Sequence, residues 1–208
     1  LGSNELRKQV EAVVFDVGRV IVQWDLRHLF GQLINDQQEL DWFCENVVTE
    51  DWHFEHDAGR PLAEMVPERK AQFPHHAHLI DAYANRFLDT IPGPVPGTAD
   101  LIRRLAARDV PLFAITNFGA EFWQQFRPTE PVLDHFRDIV VSGEERLVKP
   151  DAAIFHLAEQ RFGTDAGAML FIDDNPANIA SANALGWQTH HFADAALLEE
   201  DLASRGLI

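Results

Sequence analysis

Apolar residues bunch along this chain in two rhythms. Residues 12–15, 111–116, 138–142 and 169–172 are short, mostly apolar runs rich in Val, Ile, Leu, Phe and Ala with little alternation, and residues 187–192, bounded by Trp187 and Phe192, are read as a last strand. Such runs predict strands buried on both faces, as in a parallel sheet. Elsewhere the apolar spacing is close to three and four, which predicts helices over 25–34, 36–47, 60–70 and 75–88, with a shorter one over 49–56. Further helices are expected over 98–108 (capped by Thr98, with Asp100 near its start), 120–126, 151–162, 176–185 and 195–204. Pro176 opens its helix at a position that tolerates proline, and Gly186 stops it.

The order of these elements is informative. One strand comes first, then some 65 residues of helix alone, then strands and helices in alternation. Ile91-Pro-Gly-Pro-Val-Pro-Gly97 is a dense cluster of breakers and marks the junction. Alternating strands and helices predict an α/β fold, a doubly wound parallel sheet with helices on both faces. The expected domains are a core from residues 1–24 and 91–208, and a helical insertion from 25–90. There is no internal repeat or low-complexity tract.

Composition narrows the classes. Apolar residues make up 46% and charged residues 24%, as in an ordinary globular chain of 208 residues. Seventeen basic against 33 acidic residues give a net charge of -16, which argues against nucleic acid or an anionic membrane as partner. An anionic substrate would need local positive charge or a metal ion. The single cysteine, Cys44, excludes an internal disulfide and a cysteine-rich zinc site. No apolar run nears a membrane span, and no signal-peptide pattern opens the chain, so a cytoplasmic location is expected. No Gly-x-Ser-x-Gly elbow, dinucleotide fingerprint or Walker loop occurs.

Asp16, Thr116-Asn117 and Asp173-Asp174 fall at the carboxyl ends of predicted strands, and Lys149 follows another by a short loop. In a doubly wound sheet those ends share one edge, where ligands bind. Gly18 is expected to let the backbone turn tightly beside Asp16. Four fragments in order, Phe15-Asp16-Val17-Gly18, Ile115-Thr116-Asn117, Lys149-Pro150 and Ile172-Asp173-Asp174-Asn175, resemble the motifs of the haloacid dehalogenase superfamily of aspartate-nucleophile hydrolases. The helical insertion is similar to that family's cap domain. More narrowly, the Asp-Val-Gly start, Trp24-Asp25 and the Asp-Asp-Asn-Pro stretch resemble a bacterial branch of sugar-phosphate phosphatases.

The resemblance implies a magnesium-dependent phosphomonoester hydrolase that forms an aspartyl-phosphate and acts on small phosphate esters, sugar phosphates among them. The residue chemistry agrees. Asp16 is ionised at neutral pH and needs no base to attack phosphorus. Two anions must be bridged by a cation, and Asp16 and Asp174, helped by Asp173 and the Gly18 carbonyl, make a hard oxygen site suited to Mg²⁺. Thr116 and Asn117 offer donors to phosphoryl oxygens, Lys149 supplies a point charge, and Asn178 is expected to hold the loop. Arg19, Trp24 and His53 are candidates to touch substrate.

One departure stands out. Phosphatases of the superfamily carry a second aspartate two residues after the nucleophile to protonate the leaving group, and here that position is Gly18. Losing a general acid costs about 10²–10⁴ in rate. The enzyme would then be slow, use a leaving group of low pKa, or borrow an acid from the cap or the substrate. Two rivals follow: a 2-haloacid dehalogenase, whose halide needs no proton, and a phosphate-binding member without turnover. His75, His76 and His78 are read as a polar helix start rather than a metal cluster. His190 and His191 are read as one buried and one exposed ring. Trp42, Phe43, Trp52 and Phe54 are expected in the core of the insertion.

Overall fold

The computed structural model describes residues 8–208. Strand β1 (Ala12–Phe15) is followed by α1 (Leu26–Phe30), α2 (Gln37–Asn46), α3 (Glu50–Asp57), α4 (Leu62–Gln72) and α5 (Ala77–Asn85). Next come α6 (Thr98–Ala107), β2 (Leu112–Thr116), α7 (Ala120–Phe126), β3 (Asp138–Val141) and the single-turn α8 (Ser142–Glu145). The chain ends with α9 (Ala152–Phe162), β4 (Met169–Asp173), α10 (Pro176–Ala184), β5 (Gln188–His191) and α11 (Ala195–Ser204). The five strands form one parallel sheet in the order β3-β2-β1-β4-β5. This is the doubly wound sheet that the unalternated strands predict. Val13 and Phe15 face one apolar cluster, Ala12 and Val14 the other, so both faces of β1 are buried.

The strand order places the first strand at the centre. From β1 the chain builds outward to β2 and β3, then crosses back to lay β4 on the other side. A crevice forms at the carboxyl edge where such a reversal occurs. The register levels Phe15 with Ala114 and with Ile172. Asp16, the next residue, therefore emerges beside the ends of β2 and β4, and its amide is held by the Ile172 carbonyl at 2.8 Å.

The insertion packs onto this edge through aromatic side chains. Phe87, from a 3-10 turn after α5, stacks on Phe122 of α7 with ring centres 3.8 Å apart. The end of α3 is fastened as well. Ser142 Oγ accepts from the Phe118 amide at 2.9 Å and donates to the Asp57 carbonyl at 2.6 Å. A Cβ on Gly119 would lie 2.0 Å from the His56 ring, so only glycine permits this approach.

Several local expectations shift. Thr98 is not the cap of α6: Gly97 holds that place in the left-handed region (φ +87°), and Thr98 turns inward with its hydroxyl buried and unpartnered. A Cβ at Gly97 would come 2.8 Å from that of Ala195, so the tight approach of α11 sets the geometry. Pro61 precedes α4 in extended conformation, moving that helix two residues later than its spacing predicts. The turn after Asp16 is made by Arg19 (φ +59°), not by Gly18, whose added Cβ would meet nothing within 4 Å. Among the described residues no helix is long and apolar enough to cross a membrane.

Candidate active site

Asp16 and Asp173 end neighbouring strands, and the buried Lys149 lies between them. Its Nζ is 2.9 Å from Asp16 Oδ1 and 2.7 Å from Asp173 Oδ2. The loop carrying Lys149 is fixed by Asn117. The Asn117 Nδ2 donates to the Lys149 carbonyl and its Oδ1 accepts from the Lys149 amide, both at 2.9 Å. Asn117 thus copies a strand pairing with its side chain, and its amide serves the lysine before any ligand.

Asp173 is saturated. Besides Lys149 it accepts from the Asn175 amide at 2.8 Å and from Asn178 Nδ2 at 3.0 and 3.1 Å. Asn178 therefore does reach back to the loop. Asp174 is half-buried, and its carbonyl is held by His191 Nε2 at 2.9 Å. His190 is largely buried beside Asp201, and His191 is exposed.

One ligand atom from each of Asp16, Asp173 and Asp174 lies within 4.8 Å of the others. Opposed ligands of an octahedral ion with bonds of about 2.1 Å sit roughly 4.2 Å apart, so these oxygens are near the dimensions of one coordination shell. Three carboxylates meet one ammonium here, an excess of negative charge that a divalent cation would balance. Gly18 lines the cavity beside this cluster, and no hydrogen bond among the described residues occupies its carbonyl. The donor set fits a hard metal ion. Among the described residues His75, His76 and His78 form no such group, and His76 packs against Trp42 and Phe43.

The electrostatics follow from burial. Loss of water pushes the Asp16 carboxyl up to about 7, so burial overturns the full ionisation at neutral pH expected of a free aspartate; Lys149 opposes the rise, while Asp173 and Asp174 add to it. Desolvation would lower Lys149, but Asp16 and Asp173 hold it above its usual range. Asp174 is raised, chiefly by burial and then by Asp173. Thr116 is fully buried at the end of β2, and its hydroxyl has no partner.

Above these groups lies a cavity of about 170 Å³ that the core and the insertion wall together. Trp24, His53, Phe54, Phe87, Ile91 and Phe118 line it. Trp24 stacks on His53 at 4.8 Å, and the Arg19 guanidinium lies 4.9 Å over the Trp24 ring while pairing with Glu50 at 2.5 Å. Arg19, Trp24 and His53 are thus brought to the cavity. Phe54 is not insertion core: it is 40% exposed at the mouth, and Trp42 is 44% exposed, whereas Phe43 and Trp52 are buried. The reason lies in α3, which buries Trp52, His53, His56 and Asp57 and so leaves the face of Phe54 outward.

Asp57 is the site residue that sequence reasoning missed. It lines the cavity, is 5% exposed, and its Oδ1 has no hydrogen-bond partner. The one signal was its place four residues after His53, just past the end of the helix predicted over 49–56.

Fold and strand-end acids together define an α/β protein with an acidic site at the carboxyl edge of its sheet. The family model for haloacid dehalogenase-like hydrolases matches residues 10–186, and the chain belongs to that family. A sesquiterpene phosphatase of Aspergillus oryzae is 24% identical over 89% of this chain and 91% of that protein. An (S)-2-haloacid dehalogenase of Pseudomonas putida is 31% identical, over 54% of this chain and 47% of its own length. Among solved structures, a HAD-family enzyme of Bacteroides thetaiotaomicron in complex with magnesium and inorganic phosphate aligns with a TM-score of 0.69. That match covers 89% of this chain and 95% of the other at 21% identity, and so speaks for the fold.

Proposed function

We propose that this hydrolase is a magnesium-dependent phosphomonoesterase that works through an aspartyl-phosphate on small phosphate esters. One observation carries the reading: Lys149 is clamped between Asp16 and Asp173, and the ligand atoms of Asp16, Asp173 and Asp174 gather within 4.8 Å. Asp16 Oδ2, the oxygen turned away from Lys149, attacks phosphorus. Lys149 takes up charge on the phosphoryl oxygens, while Thr116, expected as a donor to them, is fully buried and is not among the residues lining the cavity. Asp16, Asp174 and the Gly18 carbonyl would hold the ion, with Asp173 steadying Lys149 beside them. When bound, magnesium supplies the positive charge that lets two anions approach. The phosphatase and the magnesium-phosphate complex among its relatives support the same reading.

The dehalogenase reading draws on Gly18 and on the 31% identical relative. An acid cluster with this excess of negative charge is ill suited to a metal-free attack on carbon. The discriminating experiment measures phosphate release from p-nitrophenyl phosphate with and without magnesium, in the wild type and in Asp16→Asn. We expect metal-dependent turnover that falls at least about 10³-fold in the variant. Halide release from 2-chloropropionate that persists in EDTA would overturn the proposal.

A further inference from the structure

The family's usual acid position is filled here by Gly18, so the proton for the leaving group must come from somewhere else. Only one other buried acid among the described residues opens onto this cavity without being committed to Lys149 or to the metal-type cluster. It is Asp57, on the last turn of α3. Its surroundings are those of a prepared acid rather than a stray one. Ser142 and the Phe118 amide pin its backbone to the core, so its side chain keeps a fixed position over the site. His53 Nε2 lies 3.4 Å from Asp57 Oδ2, and Tyr83 Oη lies 2.7 Å from His53 Nδ1. With the Tyr83 hydroxyl donating to Nδ1, the neutral ring presents Nε2–H to Oδ2, which leaves the unpartnered Oδ1 to carry the proton.

We propose that Asp57 is the general acid of this enzyme: a cap-borne carboxyl that does from above what the missing aspartate at position 18 does from within the loop. This rests on the phosphatase reading. As Asp16 attacks phosphorus, the bond from phosphorus to the ester oxygen breaks and its electron pair stays on that oxygen. The oxygen takes the Asp57 proton and departs as the alcohol. The resulting Asp57 carboxylate then accepts a proton from water as that water attacks the phosphorus of the aspartyl-phosphate. Inorganic phosphate leaves, and both aspartates return to their starting states. Protonation fits the setting. Burial pushes the Asp57 carboxyl up to about 8, against the Gly119 amide; the nearby Asp16 charge adds to the rise and Lys149 opposes it. His53 stays neutral beside it, since burial takes its ring down to about 3.

A general acid reveals itself through the leaving group. The test measures kcat/KM with magnesium for aryl phosphates from 2,4-dinitrophenyl to phenyl phosphate, in the wild type, Asp57→Asn and Asp57→Asn/Gly18→Asp. For the wild type we expect a shallow dependence on leaving-group pKa. In Asp57→Asn, phenyl phosphate should lose about 10²–10⁴-fold while the dinitrophenyl ester stays within about tenfold. Position 18 has open space for a side chain, so the double variant should recover much of the loss on phenyl phosphate. An equal loss across the series in Asp57→Asn would make Asp57 merely structural and overturn the inference. A steep dependence already present in the wild type would overturn it too, whether or not the variants fold. Absence of magnesium-dependent turnover in the wild type would instead sink the phosphatase reading, and this inference with it.

Discussion

The two walls of the cavity are built on opposite plans. The core wall is polar and crowded: Lys149, Asp173, Asn117 and Asn178 are tied to one another at hydrogen-bond distance, and each group holds the next in place. The cap wall is mostly rings, His53, Phe54 and Phe87, joined by Trp24 from the end of the core segment, with Asp57 the one buried acid among them. A preorganised charge array suits the reacting phosphoryl group, whose demands hardly vary between substrates. A wall of apolar surface suits the leaving group, which does vary. On the proposed phosphatase reading, the contrast would assign the bond-making chemistry to the strand ends and the choice of ester to the insertion.

The comparison breaks most severely at Lys149. In Lys149→Met two buried carboxylates lose their shared cation, and removing one partner of such a cluster costs about 3–5 kcal/mol. Turnover should vanish along with that stability. Urea unfolding checks the first part, and an unchanged midpoint would mean that water reaches these acids and that the core wall is looser than its distances imply.

Ser142 joins the two walls, and its loss should have an intermediate effect. In Ser142→Ala the Phe118 amide and the Asp57 carbonyl both lose a buried partner, which costs about 1–3 kcal/mol. Because the bolt sits under Asp57, kcat/KM should fall more for phenyl phosphate than for the dinitrophenyl ester. A uniform decrease would show that the cap stays docked through Phe87 and Phe122 alone.

The two walls also differed in how far the sequence revealed them. Asp16, Asp173 and Asp174 were readable because each closes a run of buried apolar residues, and parallel strands deliver such residues to one edge whatever the loops do. Lys149 lay further from its strand, yet its pairing with the acids still followed from charge. Asp57 and Phe54 were not readable in the same way. On α3 the polar His53, His56 and Asp57 are buried and the aromatic Phe54 is exposed, the reverse of what an amphipathic helix leads one to expect. That inversion comes from docking against Gly119 and Ser142, residues more than 60 positions away. Gly18 was misjudged for a related reason: its missing side chain relieves no crowding in the turn. The open space beside it faces the cavity, so its meaning lies in the chemistry of the site.

The gentlest change tests the cap wall alone. Phe54 is 40% exposed at the mouth and makes no hydrogen bond in its side chain, so Phe54→Ala should leave stability within about 0.5 kcal/mol. Removing the ring strips apolar surface from the leaving-group side without touching Asp16, Lys149 or Asp57. If the insertion selects the ester, KM for an aryl phosphate should rise by about five- to tenfold, the lower end of the 1–3 kcal/mol that modest changes in a hydrophobic pocket are worth. kcat should hold, since uniform binding rather than transition-state stabilisation is lost. An alkyl phosphate too short to reach the mouth should show no change in either constant. If the short ester suffered as much as the aryl one, Phe54 would be acting on the phosphoryl site through the position of α3, and the division of labour between the walls would have to be given up.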